Sequence, residues 1–337
     1  LILLLFISVS AAASPSPYLS AATLFRNHER MLKTFKIFIY APSKPFDFTG
    51  DPASSLFYES LRRSRFLTEN PAEADLFFVP FSPLTSTRSL ARLVREIRND
   101  FPFWNRTLGA DHFYLSPEGI DFSSDRNALE LKKNAIQVSN FPVASGNFIP
   151  HKDITLPPIF VAQQDVNLTE PPLFLAYLEW DGKTDTDLVN ELNRDPAFVV
   201  DVISSPPSIY LRNVRKSKFC LFLRHGGDLT RIVAAISSGC VPTLIVDRPI
   251  QDLPLMDILK WSDLALFVAA AAGDSVRLKR ILTGVGEEKF SKMRGSCAAA
   301  AGRHLSWNVP SQPLDAFEMV MYELWLRRHA VRYSRRE

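Results

Sequence analysis

A glycine-rich turn between a strand-like run and a helical pattern is the first stretch of this sequence whose residue types suggest chemistry. Residues 218–223 (KFCLFL) are mostly apolar, and the chain continues as RHGGDLTRI over residues 224–232. Asp228 is a favoured helix N-cap, and free N–H groups at a helix start attract anions such as a diphosphate. Glycines let the backbone approach such a ligand closely, although tight turns also need them. Gly226 and Gly227 would let the backbone approach a diphosphate, and Arg224 or Arg231 could supply the countercharge.

A second turn follows, where the chain reads SGCVPTLIVD over residues 238–247. Gly239 is expected to shape this turn before a buried strand. Cys240 comes next, and we expect a packed thiol or a disulfide partner of Cys220 rather than a nucleophile. Cys297 is the third cysteine of the chain, so one thiol stays unpaired or pairs with another chain.

The triplet Asp185-Thr186-Asp187 allows a different kind of site. A D-x-D pattern can hold a divalent metal ion together with a diphosphate, and carboxylate oxygens suit magnesium or manganese. The triplet also follows GKT and leads into LVNEL, which is typical of a helix N-terminus. We favour the helix start and predict no metal site, with a metal-binding triplet as the alternative.

Apolar runs of strand length alternate with helical patterns along most of the chain, which predicts parallel sheets with helical crossovers. Residues 89–101 are predicted to form a helix, because their apolar side chains recur on one helical face. The amphipathic segment 314–330 is expected to form a C-terminal helix that packs back across a lobe. The predicted strands cover residues 35–40, 74–81, 112–116, 173–178, 197–203, 218–223, 241–247 and 264–269.

A proline-rich stretch over residues 149–172 separates two series of strands, and we place a domain boundary near residue 165. The sequence thus predicts an α/β fold of two facing lobes, residues 30–165 and residues 166–330. Ligands of open parallel sheets bind beyond the carboxyl ends of the strands. Each lobe would therefore offer its loops to a shared cleft.

The chain opens with an apolar run, LILLLFISVSAAAS, over residues 1–14. This run is shorter than the roughly 18 residues of a membrane span, so we interpret it as a signal peptide or a truncated signal anchor. Either would direct the protein into the secretory pathway, where the sequons at Asn105 and Asn167 would accept glycans. The net charge of +3 is concentrated in the C-terminal tail, which argues against nucleic-acid binding.

Several segments resemble the landmarks of the exostosin-like glycosyltransferases, glycosyltransferase family 47, and in particular its plant members. These segments are ADLFFVPF, WNRTLGADHF, FIPHKDITLP, KFCL, SGCVPTLIVD, LPLMDILKW and DAFEMVMYELWLRRH. The resemblance implies two Rossmann-like lobes of the GT-B type. It also implies transfer of a sugar from a nucleotide donor, with UDP as the expected nucleotide, to a polysaccharide or glycan acceptor with inversion of configuration.

The same resemblance implies a place in the cell. Its members are usually single-pass type II proteins of the Golgi membrane, and the plant members point to cell-wall polysaccharide synthesis. No obligatory cofactor is expected, because the nucleotide sugar is the substrate. Secretion after cleavage of the N-terminal run is the alternative.

By this resemblance the second lobe binds the nucleotide sugar, and Gly239 and Asp247 join the donor contacts named above. The first lobe would bind the acceptor and supply the base that an inverting transfer requires, a role that His or a carboxylate suits. The candidates are His112, Asp111 and Asp153. Each also has a structural alternative, such as a turn cap or a satisfied core histidine.

Three positions depart from the family's pattern. Ala234 stands where the family has an acid that accepts hydrogen bonds from the donor's ribose, and such a bond contributes about 1.5–3 kcal/mol. Tyr177 and Asp185 stand where the family has a small residue and an arginine. The departures predict weak donor binding. Their extreme interpretation is a homologue that has lost transfer and acts as a binding or scaffolding subunit beside an active transferase, and a secreted lectin-like protein is a further alternative.

Overall fold

The computed structural model describes residues 16–41, 45–143, 146–160, 171–184, 186–203, 207–223, 228–269 and 275–333 of the 337-residue chain. Within these ranges the strands form two five-stranded sheets. Neighbouring strands pair in parallel throughout both sheets. The α/β architecture of two parallel-sheet lobes is therefore confirmed.

The first sheet lies in the N-terminal half, with its strands in sequence order. Its strands are β1 (Ile37–Ile39), β2 (Leu76–Phe78), β3 (His112–Leu115), β4 (Ile136–Asn140) and β5 (Ile154–Leu156). The helices of this half are α1 (Ala21–Thr34), α2 (Pro52–Arg62), α3 (Thr87–Asp100), α4 (Phe103–Thr107) and α5 (Arg126–Asn134).

Side chains alternate across this sheet and divide the core of the first lobe between two faces. Phe78 faces the side of α2, where it joins Phe57 in one hydrophobic cluster. Phe77 faces the other side, where it joins Val94 of α3 in a second cluster. Burial on both faces explains why these strands are continuous apolar runs rather than alternating ones.

The second sheet has the strand order β10-β9-β8-β6-β7. Its strands are β6 (Phe174–Trp180), β7 (Phe198–Val202), β8 (Ser217–Leu223), β9 (Val241–Val246) and β10 (Leu266–Ala269). The helices that follow are α6 (Thr186–Arg194), α7 (Pro207–Arg215), α8 (Ile232–Ser237), α9 (Ser275–Thr283), α10 (Glu287–Arg303) and α11 (Ala316–Tyr333).

This strand order reverses direction once. From β6 the chain adds β7 on one side, and then β8, β9 and β10 on the other. In open α/β sheets a crevice forms at such a switch point, beyond the carboxyl ends of the strands, and ligands bind there. The topology therefore predicts a ligand site at the carboxyl ends of β6 and β8, which we call the mouth of these two strands.

Loops from the carboxyl ends of the two sheets touch each other. The N–H of Val143, just beyond β4, donates to the carboxylate of Asp252 at 2.9 Å. The hydroxyl of Thr155 in β5 donates to the backbone oxygen of Asp252, also at 2.9 Å. Because Asp252 lies in the loop that leaves the carboxyl end of β9, these loops join the two lobes.

The C-terminal helix α11 packs back on the first lobe, as predicted. Arg327 of α11 donates to the backbone oxygen of Asp153 at 3.2 Å, and it pairs with Asp257 of the second lobe at 2.8 Å. His28 of α1 lies 2.8 Å from the carboxylate of Glu318 in α11. Helix α11 thus ties the N-terminal helix and both lobes together.

Most predicted strands and the helix over residues 89–101 match the structure to within a few residues. Strand β5 lies in the stretch that we interpreted as a linker, because three residues are too few to show a period. The boundary near residue 165 and the apolar run 1–14 lie outside the described ranges, so both stay predictions. None of the helices in these ranges is long and apolar enough to cross a membrane.

Candidate functional site

The mouth of β6 and β8 holds a group of charged and aromatic side chains that we call the crevice cluster. Its members are Tyr177, Glu179, Asp201, Tyr210, Asp228 and Arg231. Glu179 stands near the end of β6, opposite Asp201 of β7 in the strand register. Tyr210 comes from α7. Asp228 caps the one-turn 3-10 helix Leu229–Arg231 that leads into α8, and Arg231 is the last residue of that turn.

Arg231, a predicted donor contact, lies at this mouth but is already paired inside the protein. Its Nη1 lies 2.9 Å from Oε1 of Glu179, and its Nε lies 3.3 Å from a carboxylate oxygen of Asp228. The guanidinium also sits over the ring of Tyr210, 4.5 Å from the centroid. The positive charge that we expected to meet a diphosphate therefore faces two protein carboxylates.

Glu179 is held in an unfavourable environment for a carboxylate. Its side chain is only 6% exposed, and neither oxygen accepts a well-aligned hydrogen bond from the described residues. Burial raises its pKa to about 7, and Asp228 and Asp201 add to that rise while Arg231 opposes it. The cavity beside it is about 10 Å³, which is enough for a single water molecule at most.

The helix start beyond β8 differs from our expectation. Asp228 does act as an N-cap, because its side chain accepts from the N–H of Thr230 at 3.0 Å. However, α8 has only six residues, so its dipole is weak. The predicted contacts Arg224, Gly226 and Gly227 lie outside the described residues.

A larger cavity lies at the carboxyl ends of β9 and β10. It has a volume of about 550 Å³, which is within the usual size range of small-ligand sites. Trp261 and Phe267 contribute aromatic surface, and Phe267 is 45% exposed. The predicted donor contact Asp247 lines the same cavity, as does Lys260.

Two other positions that we connected with the donor lie elsewhere. Gly239 occupies the turn between α8 and β9, at the amino end of that strand, with φ of +80°. Its role is conformational, since a positive φ favours glycine, and its place does not support donor contact. Ala234 is 6% exposed and belongs to the main hydrophobic core, so this helix position faces the protein interior.

The cysteines are arranged as one of our alternatives predicted. Cys220 of β8 and Cys240, just before β9, form a disulfide. Cys297 is buried in α10, and its thiol donates to the backbone oxygen of Leu264 at 3.1 Å. Burial raises the pKa of this thiol to about 12, which keeps it protonated and inert.

Asp111 and His112, two of the base candidates, lie at the amino end of β3 and are fully buried. His112 Nδ1 lies 2.8 Å from Asp111, and its Nε2 lies 2.8 Å from the hydroxyl of Tyr40. Thr107 donates to the same oxygen of Asp111, Oδ1, and Arg106 donates to the other, Oδ2. Ligands are expected at the opposite edge of the sheet, so this placement matches the core-histidine alternative and does not support a base.

The electrostatics of this pair agree with a structural role. Burial lowers the pKa of His112, although Asp111 opposes that change, so the imidazole is neutral near pH 7. Burial alone would raise the pKa of Asp111, but hydrogen bonds from His112 and Thr107 and the charge of Arg106 outweigh it and lower the pKa. Asp111 thus keeps a negative charge that its neighbours fully satisfy.

Asp153, the third candidate, also lies at an amino end. It precedes β5, is fully buried, and accepts hydrogen bonds from the N–H groups of Gln137 and Ile149 at 3.1 and 2.9 Å. Lys152 pairs with the same carboxylate. Because these partners satisfy both carboxylate oxygens, we infer that Asp153 stabilises the contact between β4 and the loop before β5.

A different carboxylate stands at the carboxyl edge of the first sheet. Asp51 precedes α2 and is 9% exposed, yet its side chain does not cap that helix. Its Oδ1 instead accepts from the side-chain amide of Asn140, the last residue of β4, at 2.8 Å. Its Oδ2 is buried without a hydrogen-bond partner among the described residues. Sequence reasoning missed Asp51, because its neighbour Asn140 is distant in the chain.

The D-x-D triplet falls at a helix start, as we favoured. Helix α6 begins at Thr186, and Asp187 lies in its first turn. Asp185 is outside the described residues, so the metal-binding alternative stays open. Among the residues that the structure describes, no group of three or more His, Cys, Asp or Glu side chains could hold a metal ion.

The two sequons differ in what the structure describes. Asn105 lies in α4 with an exposed side chain that donates to the backbone oxygen of Arg98 at 3.3 Å. Asn167 lies outside the described residues. Glycosylation at either position stays a prediction.

Glu179 is the principal residue of the site that sequence reasoning overlooked. The signal was present, because a carboxylate directly ends the apolar run LFLAYL. Its neighbours come from β7, α7 and the turn before α8, so no local sequence pattern predicts that they meet.

A family model and a search for similar proteins both relate this chain to known glycosyltransferases. The model of the Exostosin GT47 domain matches residues 31–285. The chain is 28% identical to "Probable glycosyltransferase At5g03795" of Arabidopsis thaliana over 92% of this chain and 65% of that protein, so it spans less than two thirds of that relative. It is 27% identical to "Probable beta-1,4-xylosyltransferase IRX10" of the same plant, over 80% of this chain and 74% of that protein.

A solved structure of a calicheamicin glycosyltransferase, CalG4, overlaps 80% of this chain and 95% of its own. The TM-score is 0.36 and the sequence identity is 10%. That overlap is too loose to support an argument, so the architecture rests on the sheet topology described above.

Proposed function

The chain belongs to the exostosin GT47 family, and from this we propose that it is a glycosyltransferase that moves a sugar from a nucleotide donor to a glycan acceptor. The observation that carries the proposal is the contact between carboxyl-end loops of two parallel sheets at Asp252. Such an arrangement suits a reaction that needs two substrates held on opposite walls. In this proposal the second lobe binds the donor and the first lobe binds the acceptor.

Two features of the second lobe support a donor site there. The aromatic cavity beside Asp247 suits a nucleobase and its ribose, because carboxylates accept hydrogen bonds from hydroxyl groups. The mouth of β8 lies toward the switch point of the sheet, and neighbouring strands are about 4.8 Å apart. A nucleoside diphosphate laid across the carboxyl ends from β10 to β6 would therefore bring its phosphates toward Arg231.

Asp51 is the residue that we would test first as the base. Transfer with inversion forms a bond from the acceptor oxygen to the sugar, breaks the bond from the sugar to the donor's phosphate so that the nucleoside diphosphate leaves, and passes the acceptor's proton to a base. Asp51 lies at the carboxyl edge of the acceptor lobe and has one oxygen without a partner among the described residues. Asp51→Asn should reduce kcat by about 100-fold or more while leaving donor affinity unchanged, and Asp153→Asn is the comparison for a merely structural carboxylate.

The relatives suggest which sugars to examine. Two similar plant proteins are named "Probable beta-1,4-xylosyltransferase IRX10" and "Probable glucuronosyltransferase GUT1". UDP-xylose and UDP-glucuronic acid are therefore the first donors, and plant cell-wall glycans are the first acceptors. We propose the Golgi membrane as the location, on the strength of the family and of the apolar run 1–14.

The direct test combines binding and turnover. The purified full chain would be titrated with UDP, UDP-xylose, UDP-glucuronic acid and GDP-mannose while its thermal stability is followed. A ligand at 100 times its Kd should add about 2.7 kcal/mol of stability. Transfer of labelled sugar to a glycan acceptor confirms the enzyme, binding without transfer supports the non-catalytic subunit, and no response to any nucleotide contradicts the proposal.

A chelator arm tests the absence of an obligatory metal. With the triplet acting as a helix start, donor binding should persist in EDTA. Asp187→Ala should leave the Kd of UDP-xylose within about twofold, because an exposed residue in the first turn of α6 contributes mainly to that helix. Loss of binding in EDTA together with loss in Asp187→Ala would support the metal-binding triplet instead.

A further inference from the structure

The crevice cluster is unusual because a site expected to attract a diphosphate is rich in negative charge. Around Arg231 stand the carboxylates of Glu179 and Asp228, with Asp201 beside Glu179 on the next strand. Among the described residues that line the small cavity, Arg231 is the one cation. The phosphates of a ligand would therefore meet more negative than positive charge from these described side chains.

The cluster is also already closed. Tyr210 covers the guanidinium from one side, and its hydroxyl donates to the backbone oxygen of Arg231 at 3.3 Å. Tyr177 packs edge-on against Tyr210, with ring centroids 5.6 Å apart. These contacts hold Arg231 against Glu179, so the guanidinium is not free to rotate toward a ligand at no cost.

Glu179 is the weak member of this arrangement. Only 7% of this residue is exposed, and no described residue donates a well-aligned hydrogen bond to its carboxylate oxygens. Asp228, by contrast, also caps the turn through Thr230, so its place is fixed by local structure. Removing the charge of Glu179 would therefore leave Asp228 as the one described carboxylate paired with Arg231, without dismantling the turn that carries it.

We propose that Glu179 is a specificity-determining residue of the donor crevice, which competes with the donor's diphosphate for Arg231 and so lowers the affinity for nucleotide sugars. This inference rests on the proposed function, because it assumes that the donor's phosphates reach the mouth of β8. It predicts that neutralising Glu179 strengthens binding of diphosphate-bearing ligands. It predicts no such gain for a neutral nucleoside.

Protonation supplies the same neutralisation without mutation. The groups facing Glu179 are Arg231 and Asp228 from the turn, Asp201 from β7 and the hydroxyls of Tyr177 and Tyr210. Burial holds the pKa of Glu179 at about 7, and both tyrosine pKa values are raised. The carboxylate therefore loses its charge as the pH falls from 8 to 6, while Arg231 keeps its own.

The experiment measures the Kd of UDP-xylose and of uridine by calorimetry at pH 6 and pH 8. UDP-xylose is preferred to UDP, because its diphosphate has no terminal group that titrates in this interval. Glu179→Gln should bind UDP-xylose about tenfold more tightly than the wild type at pH 8, since one charge-assisted contact becomes available. At pH 6 the Kd of UDP-xylose for the wild type should approach its Kd for the variant. Uridine should bind the two proteins with equal Kd at both pH values.

Glu323→Gln is the matched control. Glu323 is a second buried glutamate whose pKa burial raises to about 7, but it lies on α11, away from the crevice. This variant should leave the Kd of UDP-xylose and its pH dependence as in the wild type. A shared effect in both variants would indicate general stabilisation and would overturn the inference.

The possible failures are distinguishable. If UDP-xylose binds the wild type with a Kd that neither pH nor Glu179→Gln changes, the inference is wrong and the proposed function stands. If Glu179→Gln weakens binding, Glu179 contacts the donor directly and the inference is also wrong. If no nucleotide or nucleotide sugar of the panel binds either protein at either pH, the proposed donor site itself fails.

Discussion

Gly109 shows at the residue scale how one position can fix the geometry of a buried network. Its φ is +85°, and a Cβ added there would lie 2.7 Å from Cζ2 of Trp104. Trp104 is fully buried and packs against His112, with ring centroids 4.7 Å apart. A side chain at position 109 would thus push on the histidine and on Asp111 behind it.

Gly109→Ala should therefore cost more stability than positive φ alone explains. Gly50 offers a matched control, because its φ is +87° but nothing lies within 4 Å of an added Cβ. Gly50→Ala should cost about 1 kcal/mol, and Gly109→Ala about 2–4 kcal/mol, because overpacking adds to the strain. Chemical denaturation of both variants measures the difference, and equal costs would show that Trp104 yields without penalty.

The residue scale also separates two kinds of buried carboxylate. Asp111 and Asp153 are surrounded by donors that satisfy both oxygens. Glu179 and Asp51 each keep at least one oxygen without a partner among the described residues. Unsatisfied buried groups cost free energy, so their persistence is a reason to look for function. The carboxyl-edge location of the second pair agrees with that expectation.

At the scale of elements, α11 joins the lobes through a buried charged group. Glu323 is 2% exposed, and its carboxylate accepts from the N–H of Asp257 at 3.3 Å. Burial raises its pKa to about 7, with Asp257 adding to the rise and Arg327 opposing it. In the unfolded chain a glutamate titrates near 4.3, so the folded protein holds this proton more tightly.

The contribution of Glu323 to the stability of the folded protein should therefore fall as the pH rises. For a group whose pKa is raised by folding, the stabilisation is complete below the unfolded pKa and is lost as the pH passes through the folded pKa, here between about 4.5 and 7. At pH 8, Glu323→Gln should be more stable than the wild type by roughly 2–3 kcal/mol, and at pH 4.5 the two should agree. Unfolding free energies at the two pH values measure this.

An exposed residue provides the control for this experiment. Glu69 lies on the surface, so Glu69→Gln should follow the wild type at both pH values. If Glu323→Gln gains no stability at pH 8, Arg327 compensates the buried charge fully and the pKa of Glu323 is not raised.

At the scale of the whole molecule, the sequence predicts the lobes well because each strand of a parallel sheet is a local apolar run. KFCLFL and VPTLIVD are recognisable without knowledge of their neighbours, and they form β8 and β9. Strand β5 was missed, since three residues are too few to show a period, and its pairing with β4 is what identifies it. Local sequence patterns therefore identify most strands, whereas strand β5 and the order of the strands are known only from their pairing in the folded sheets.

The site was harder to predict for the same physical reason. Arg231 was found because strand, turn and helix follow one another in the chain. Its partner Glu179 was not, because their contact depends on how β6 and the turn before α8 meet in space. His112 was assigned to the cleft from its family landmark, but the direction of β3 places it at the amino edge. Strand direction, and not residue type, decides which polar groups reach a ligand.

Hydrogen–deuterium exchange with and without saturating UDP-xylose tests our proposal that a nucleotide sugar binds across the carboxyl ends of the second sheet. Ordered ligand contacts slow the exchange of nearby backbone amides by suppressing local opening. We expect slower exchange in peptides covering the ends of β6 and β8, the turn at 228–231, and the loop after β9 that lines the aromatic cavity. Protection confined to the first lobe, or saturating binding with no protection at these strand ends, would contradict it.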